Sequence, residues 1–354
     1  MRIVHVIFSM NTGGAELMLS DIMSVQSAMG HEVSLLIINN TYTQSVLDKI
    51  SDSVDIHILG RPEGSRNPLW IWRYNRMLRR LKPDVVHLHH DRAAGLLICR
   101  PSHPVYVGTV HATNIVLSYF NRLDEVYAIS KAVKNDIMHR HSIDSSVVYN
   151  GLDFNRIAQS DSQQPHTPFR IVQCGRVVCD IKGQDILVRA IAGLTAKGYD
   201  VSVDFIGEAF DKDPLCELAR ELGVEDRINF LGLKDRDYIY SHLKDYDLFV
   251  QPSRYEGFGL TLVEAMAAKI PVLASDVDGP AEILDENRYG LLFRSEDSDE
   301  CARAIASIID AYPIFKGNAA GSAYRHALDN YSIEATAANY ISMYSNLISR
   351  KHND

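Results

Sequence analysis

Short apolar runs of strand length recur along the whole chain, and longer segments with helical spacing of apolar positions separate them. In the first half, these runs predict buried strands at Ile3–Phe8, Val33–Ile38, Val54–Leu59, Val85–His89, Val105–Val110 and Val126–Ile129. The segments between them have the composition of helices. The first half therefore predicts a repeated strand and helix pattern.

The second half repeats this pattern. Its predicted strands are Arg170–Cys174, Val201–Ile206, Ile228–Leu231, Leu248–Gln251, Pro271–Ala274 and Gly290–Phe293, and its predicted helices include Asp185–Lys197, Pro214–Leu222 and Glu300–Tyr312. Because alternating strands and helices build parallel sheets with right-handed crossovers, we predict an α/β protein with two doubly wound, Rossmann-like sheets.

Length and composition indicate two domains. The chain has 354 residues, which exceeds one ordinary core, and its 46% apolar and 23% charged residues are typical of a globular protein. Residues 161–168 are polar and contain prolines, as linkers do. The excess of acidic over basic residues lies in the part of the chain after residue 165. We predict domains at 1–165 and 166–330, followed by the segment 331–354.

That last segment predicts a helix, because its apolar and aromatic residues follow helical spacing. The stripe consists of Tyr340, Met343, Tyr344 and Leu347. Such a stripe is typical of core packing rather than of a cofactor site.

Several features bear on the cellular setting. Met1–Phe8 suits a first strand better than a signal peptide, and no stretch reaches transmembrane length. The five cysteines are an odd number without zinc-site spacing, which favours a reduced, cytoplasmic setting. Nucleic acid is not among the expected partners.

The segment from Pro252 to Ala267 predicts an anion site. Gly257 and Gly259 lie between a buried strand and a helix, so the backbone can approach a ligand and the first helical amides can bind a phosphate. Glu256 precedes this turn and Glu264 lies within the helix, where its carboxylate could accept hydrogen bonds from a ribose diol. The competing interpretation is a capped helix with a surface acid.

In each half, the loop after the first strand contains a further candidate motif. Arg176 and Lys182 offer a planar fork and a point charge that could together grip a diphosphate, although each alone is typical of a solvated surface cation. The pair Gly13 and Gly14 joins a strand to a helix, which an ordinary strand-to-helix turn also explains.

Together, these motifs resemble glycosyltransferase family 4. The resemblance covers nearly the whole chain and depends on the Glu-x7-Glu spacing of Glu256 and Glu264, the six-residue spacing of Arg176 and Lys182, and the Gly13–Gly14 loop. It implies the GT-B fold, in which two Rossmann-like domains face each other across a cleft and a C-terminal helix crosses back to the first domain. It also implies retaining transfer of a sugar from a nucleotide-sugar.

The resemblance implies roles for individual residues. Glu256 would contact donor sugar hydroxyls and Glu264 the ribose. The sugar and phosphates would be held by the glycine loop and the start of the helix after it, that is by Gly257, Phe258, Gly259, Leu260 and Thr261. The base would be bordered by a second segment, Leu231 to Leu233. His111 would lie near the transferred sugar, although Ala112 stands where the family has an acidic residue. A buried core histidine is the competing interpretation of His111.

Metal binding is not expected. His87, His89, His90 and Asp91 cluster in sequence, but no further converging ligands are evident, so this cluster is interpreted as a strand end on the acceptor side. Asp235–Asp237 and Asp276–Asp278 imitate a metal motif of a different glycosyltransferase fold and are interpreted as loop acids.

A membrane contact is a further hypothesis. Between Asn67 and Lys82, Arg73, Arg76 and Arg80 share one helical face near two tryptophans. This composition suits an anionic bilayer surface, and a solvated helix face is the alternative.

We therefore expect a metal-independent retaining hexosyltransferase with no cofactor. Its donor would be a nucleotide-sugar, with UDP-hexose or UDP-N-acetylhexosamine the favoured type, and its acceptor a glycan or lipid-linked saccharide of bacterial surface polysaccharide: capsule, O-antigen, exopolysaccharide or lipopolysaccharide. It would act in the cytoplasm or at the inner membrane surface. A nucleotide-sugar epimerase, a phosphorylase and a catalytically silent nucleotide-sugar-binding subunit remain as alternatives.

Overall fold

The structure is a computed structural model that describes residues 1–11, 13–98, 100 and 103–353. The chain divides into two compact units, one formed by Met1–Leu152 with Tyr331–Asp354 and the other by Asp153–Asn330. Each unit contains one parallel β-sheet with helices between its strands.

The sheet of the first unit has seven strands. These are β1 (Arg2–Ile7), β2 (Glu32–Asn39), β3 (Val54–Arg61), β4 (Val85–Leu88), β5 (Val105–Val110), β6 (Glu125–Ala128) and β7 (Ser146–Val147). Every pair is parallel, in the order β3-β2-β1-β4-β5-β6-β7. The strand order therefore reverses at β1 and β4.

Helices lie between most of these strands, and some of them begin at a side-chain cap. They are α1 (Gly14–Ala28), α2 (Gln44–Leu47), α3 (Pro68–Leu81), α4 (Asp91–Gly95) and α5 (Lys131–His141). Asn67 accepts a hydrogen bond from the Leu69 amide at the start of α3, and Ser130 accepts one from the Val133 amide at the start of α5. Each cap satisfies a backbone donor that the helix itself leaves unpaired.

The second unit repeats the architecture with six strands. These are β8 (Phe169–Cys174), β9 (Val201–Ile206), β10 (Ile228–Gly232), β11 (Leu248–Gln251), β12 (Val272–Ser275) and β13 (Leu291–Phe293), all parallel in the order β10-β9-β8-β11-β12-β13. Its helices are α6 (Cys179–Lys182), α7 (Gln184–Ala196), α8 (Lys212–Glu221), α9 (Arg236–His242), α10 (Leu260–Ala267), α11 (Asp278–Leu284), α12 (Ser298–Asp310), α13 (Tyr312–Ile314) and α14 (Ala320–Tyr331). The predicted α/β class with two doubly wound sheets is confirmed.

The C-terminal helix α15 (Ile333–Asn353) belongs to the first unit. Its Tyr340 and Tyr344 are buried in a cluster with Ile3, Val105 and Tyr127. The aromatic stripe of the last segment is therefore core, as its spacing predicts.

The first boundary between the units differs from the predicted one. The sequence places it at residue 165, whereas the units divide between Leu152 and Asp153. Residues after 152 already bond to the second unit, since the Ala158 amide donates to the Tyr240 carbonyl and the Ser160 amide to the Ala268 carbonyl. The polar composition of residues 161–168 does not reveal these backbone contacts.

Element ends also shift by a few residues. The predicted helix Glu300–Tyr312 ends at Asp310, and a new helix begins at Tyr312. Pro313 accounts for this break, because proline has no amide hydrogen to continue the helical hydrogen bonds.

In both units, the carboxyl ends of the two strands at the reversal point lie side by side. Ligands of doubly wound sheets bind at such points. In the second unit, the loops that leave β8 and β11 carry the predicted cations and the carboxylate Glu256.

Candidate active site

The loop between β11 and α10, residues 252–259, depends on glycines for its shape. Gly259 has a φ of 107°, a region that favours glycine. Gly279 lies against this loop, and a Cβ atom there would come within 2.5 Å of the Phe258 carbonyl oxygen and 2.7 Å of the Glu256 carbonyl oxygen. The Gly279 amide donates to the Glu256 carbonyl at 3.2 Å, which fixes the backbone that carries the Glu256 side chain.

Arg254 ties this loop to the loop after β8. Its guanidinium donates to the Cys179 carbonyl at 2.6 Å and forms a two-pronged ion pair with Asp185, with distances of 2.7 and 2.9 Å. The hydrogen bonds from the Arg254 guanidinium to the Asp185 carboxylate are the main reason that the pKa of Arg254 is raised. In addition, the backbone amides of Arg254 and Tyr255 donate to the Ile181 carbonyl at 2.9 and 3.1 Å. The two loops are therefore held together without any ligand contact.

This arrangement brings Lys182 and Glu256 into contact. The Lys182 Nζ atom lies 2.6 Å from Glu256 Oε2, and both side chains are largely buried. Gln251, the last residue of β11, donates to the same Glu256 oxygen at 2.7 Å. Because two donors hold this carboxylate, its orientation is fixed before any substrate binds.

Arg176 and Lys182 line one cavity of about 340 Å³ together with Val178, Ile181 and Phe210. The Arg176 side chain is exposed, and in the part of the chain that the structure describes its guanidinium has no ion-pair partner. With Lys182 paired to Glu256, the net positive charge at this cavity comes from Arg176. The structure thus brings together the two predicted cations.

Glu264 lies one helical turn into α10 and is 6% exposed. Burial raises the pKa of this carboxyl to about 7, while the Arg236 charge acts in the opposite direction. Its Oε2 atom has no hydrogen-bond partner among the described residues. A buried carboxylate oxygen without a donor is expected to bind one from a ligand.

The other predicted binding residues lie around these two loops. Leu260 and Thr261 are the first residues of α10, Phe258 is buried, and Gly257 lies in the loop before α10. Leu231 lies one residue before the end of β10 and is half-buried, and Leu233, just after that strand, is 76% exposed. No hydrogen bond within the described structure assigns a role to either leucine.

In the first unit, a larger cavity of about 1030 Å³ lies at the carboxyl ends of β1, β4 and β5. Its lining includes His89, His90, Asp91 and His111, whereas His87 of the same predicted cluster is fully buried and is not among the described lining residues. Gly13 and Gly14 form the start of α1, but neither is among the described residues that line this cavity.

Asp91 has a role that sequence reasoning missed. Its carboxylate is 6% exposed and accepts hydrogen bonds from the amides of Ser118, Tyr119 and Phe120, at 2.8 to 3.0 Å. It therefore shapes the loop that forms one wall of the cavity. Its position at the start of α4, shortly after the end of β4, was the available signal.

A group of three histidines in the first unit has the composition of a metal site. Ligand atoms of His5, His87 and His89 lie within 4.8 Å of one another. However, each of their six ring nitrogens already has a hydrogen-bond partner, so a metal ion would have to displace several of these bonds. The two predicted loop-acid segments also have structural partners, since Asp235 caps α9 and Asp276 accepts from the Ser295 amide.

Two parallel doubly wound sheets, one in each unit, are the architecture of the GT-B class of glycosyltransferases. Residues 12–156 match the Glycosyltransferase Family 4 model, and residues 155–325 match the model described as Glycosyl transferases group 1. Together the two matches cover residues 12–325, and the chain belongs to the glycosyltransferases that these two models describe.

Individual relatives support the assignment. The lipopolysaccharide core biosynthesis mannosyltransferase LpsB of Rhizobium meliloti is 27% identical over 96% of both chains. An N-acetylgalactosaminyltransferase of Campylobacter jejuni, whose name specifies a diphospho-undecaprenol-linked saccharide, is 24% identical over 86% of this chain and 89% of its own. Anabaena HepE, solved in complex with UDP, has a TM-score of 0.80 at 22% identity and covers 98% of this chain and all of its own. The last likeness shows the fold.

Proposed function

We propose that the protein is a retaining glycosyltransferase that works without a metal ion. It moves a hexose or an N-acetylhexosamine from a nucleotide-sugar, of which a UDP-sugar is the favoured type, to a glycan or lipid-linked acceptor in bacterial surface polysaccharide synthesis. The Campylobacter relative named for a lipid-linked saccharide and the HepE complex with UDP support this choice of acceptor and nucleotide.

The contact between Lys182 and Glu256, at the cavity that Arg176 also lines, is the observation that carries the proposal. A nucleoside diphosphate leaves with increased negative charge on its terminal phosphate, and fixed cations stabilise that charge. Glu256 accepts hydrogen bonds, so it suits the hydroxyl groups of a sugar next to this phosphate. Glu264, with one unpaired buried oxygen, suits the ribose.

The reaction that follows from the family resemblance needs no protein base. The bond between the anomeric carbon and the phosphate oxygen breaks, and the acceptor oxygen bonds to the same face of that carbon. The proton of the acceptor hydroxyl passes to the leaving phosphate oxygen, so charge and atoms balance. Within this scheme, Arg176 and Lys182 stabilise the leaving group, and Glu256 orients the sugar.

A panel of UDP-, GDP- and ADP-sugars tests the donor assignment. A donor that binds the folded protein raises its free energy of unfolding, by about 2.7 kcal/mol at a hundred times the dissociation constant, and therefore its melting temperature. With the stabilising donor, we expect nucleotide release to accelerate when a lipid-linked saccharide is added, and the product to keep the anomeric configuration of the donor by NMR. Binding without any release would favour the silent binding subunit. No stabilisation by any nucleotide-sugar would contradict the proposal.

We also propose that α3 brings the protein to an anionic membrane surface. Leu69 and Trp72 on this helix are 45% and 51% exposed, and the Arg76 guanidinium lies 5.0 Å from the centre of the Trp72 ring. Arg73 and Arg80 are also exposed. Exposed apolar side chains beside cations are typical of helices that lie in a bilayer interface. Among the described residues, no helix has the length and apolar composition needed to cross a bilayer.

The triple substitution Arg73→Gln, Arg76→Gln, Arg80→Gln tests this contact. We expect it to reduce flotation with vesicles that contain anionic phosphatidylglycerol, because each basic residue near such a surface contributes roughly 1 kcal/mol. A control with the same charge change elsewhere on the first unit, Lys49→Gln, Lys131→Gln, Lys134→Gln, should float like the wild type. Equal flotation of the arginine variant and the wild type would rule out this surface.

A further inference from the structure

The first unit contains a continuous chain of hydrogen-bonded imidazoles that leads to His111. The Nδ1 atom of His5 lies 3.0 Å from Nε2 of His89, and Nδ1 of His89 lies 3.2 Å from Nε2 of His111. The planes of neighbouring rings differ by 27°. Strands β1, β4 and β5 are adjacent, which places these three histidines in a row.

All three rings are neutral near pH 7. Burial lowers the pKa of His5 and of His111 to about 4, and it lowers the pKa of His89 well below its ordinary value. A neutral imidazole has one N–H donor and one lone-pair acceptor. In a chain of such rings, the direction of one hydrogen bond therefore determines the direction of the next.

Gln26 determines the direction of these hydrogen bonds, because it binds His5 at the end of the histidine row that is farthest from His111. Its Oε1 atom lies 2.8 Å from His5 Nε2, and because a carbonyl oxygen only accepts, His5 carries its proton on Nε2. His5 Nδ1 must then accept from His89 Nε2, and His89 Nδ1 from His111 Nε2. Rotating the Gln26 amide by half a turn would reverse every one of these bonds.

The neighbouring Tyr344 hydroxyl bonds His87 rather than Gln26. Burial raises the pKa of Tyr344 well above its ordinary value, so its hydroxyl keeps its proton and can donate to His87 Nδ1 at 2.6 Å. The Gln26 Nε2 atom is buried without a hydrogen-bond partner among the described residues, so the contact of its Oε1 atom with His5 Nε2 defines the orientation of the amide.

The hydrogen-bonded row of histidines ends at His111, where one ring nitrogen has no hydrogen-bond partner among the described residues. His111 lines the cavity of about 1030 Å³, and its Nδ1 atom is buried without a hydrogen-bond partner in the part of the chain that the structure describes. Buried polar atoms of native proteins nearly always have a partner. A ligand in the cavity is the natural source of the missing donor.

We propose that Gln26, acting through His5 and His89, fixes His111 as the tautomer protonated on Nε2, which leaves Nδ1 as an acceptor for a hydroxyl group of a saccharide in this cavity. The saccharide part of this inference rests on the proposed function. Gln26, His5 and His89 are positioning residues, and neither Gln26 nor His5 lines the cavity.

Histidine nitrogen NMR tests the tautomer directly. We expect His111 of the wild-type protein to carry its proton on Nε2 alone. In Gln26→Met, which keeps the side-chain length but cannot accept, a signal for protonated Nδ1 should appear at His111. His89→Phe cuts the chain at a second place and should have the same effect. Tyr340→Phe is the control, because it removes a buried hydroxyl that bonds Thr109 outside the chain, and it should leave the His111 tautomer unchanged.

Kinetics test the consequence. One neutral hydrogen bond contributes at most about a tenfold change in binding, so Gln26→Met should raise KM up to about tenfold for the substrate whose saccharide contacts His111 and leave the KM of the other substrate unchanged. A wild-type His111 protonated on Nδ1 would overturn the proposal, as would an unchanged tautomer in both folded variants.

The saccharide part has its own test, which does not need transfer activity. Titration of the wild-type protein with glucose and N-acetylglucosamine should shift the His111 Nδ1 resonance. The absence of any shift would overturn the saccharide part. If the protein transferred no sugar at all, the NMR measurement would still test the tautomer of His111 independently of the proposed function.

Discussion

Replacing Arg176 and Lys182 together by methionine is expected to lower kcat/KM for sugar transfer by about 1,000-fold or more. The loss of a single preorganised donor to a developing negative charge typically costs roughly 100- to 1,000-fold, and these two side chains line the same cavity. Methionine keeps much of the side-chain length and removes the charge. The effect should fall mainly on kcat, because the charge on the leaving phosphate grows as its bond to the sugar breaks. Initial rates over a range of donor concentrations measure both parameters.

A matched control separates this effect from a change of net charge. Arg189 and Lys197 are exposed residues of the second unit, on and just after α7, and Arg189→Met with Lys197→Met removes the same two charges. This control should keep the wild-type rate. If the two double variants had equal activity, the assignment of Arg176 and Lys182 to the leaving group would be wrong.

Substituting Glu264 by glutamine is expected to stabilise the protein and weaken donor binding. The pKa of this carboxyl is about 7 in the folded protein, against an ordinary value of 4.5. Between these two values the folded state binds more protons than the unfolded state, so the free energy of unfolding falls as pH rises through this window. At about 1.4 kcal/mol per pH unit, the full cost above pH 7 is roughly 3 kcal/mol. Glu264→Gln should remove this cost at pH 8 and bring no gain below pH 4.5.

Donor binding should change in the opposite direction. The unpaired Oε2 atom of Glu264 is proposed to accept from a ribose hydroxyl, and a hydrogen bond to a charged group contributes about 1.5–3 kcal/mol. The dissociation constant should therefore rise tenfold or more in Glu264→Gln. In the wild type, it should rise as pH falls below about 7, because the protonated carboxyl loses acceptor strength.

Urea unfolding at several pH values and calorimetric titration with the donor measure the two effects of Glu264. Glu217→Gln, at an exposed position of α8, is the control and should change neither quantity. A Glu264→Gln protein with wild-type donor affinity would show that Glu264 does not bind the ribose.

Much of the fold could be predicted from the sequence, because parallel strands buried on both faces leave continuous apolar runs. The turn around Gly257 and Gly259 was equally visible, since two glycines between an apolar strand and a helical segment are a strong turn signal. In contrast, the boundary at Leu152 depends on backbone hydrogen bonds of Ala158 and Ser160, and these leave no mark in composition.

The supporting contacts of the site were not predictable in the same way. Arg254 binds Asp185 across a long stretch of sequence, and only the adjacency of β8 and β11 brings their loops together. The hydrogen bond of Gln26 to His5 likewise depends on how α1 packs on the sheet. Sequence periodicity shows which face of an element is buried, but not which polar groups meet inside.

The most direct test of the central claim compares transfer rates after complete removal of divalent metal. Because Arg176 and Lys182 are proposed to neutralise the departing diphosphate, the wild-type protein in excess EDTA should transfer sugar at the same rate as with added Mg²⁺ or Mn²⁺. A rate that collapses in EDTA and returns with either ion would contradict it.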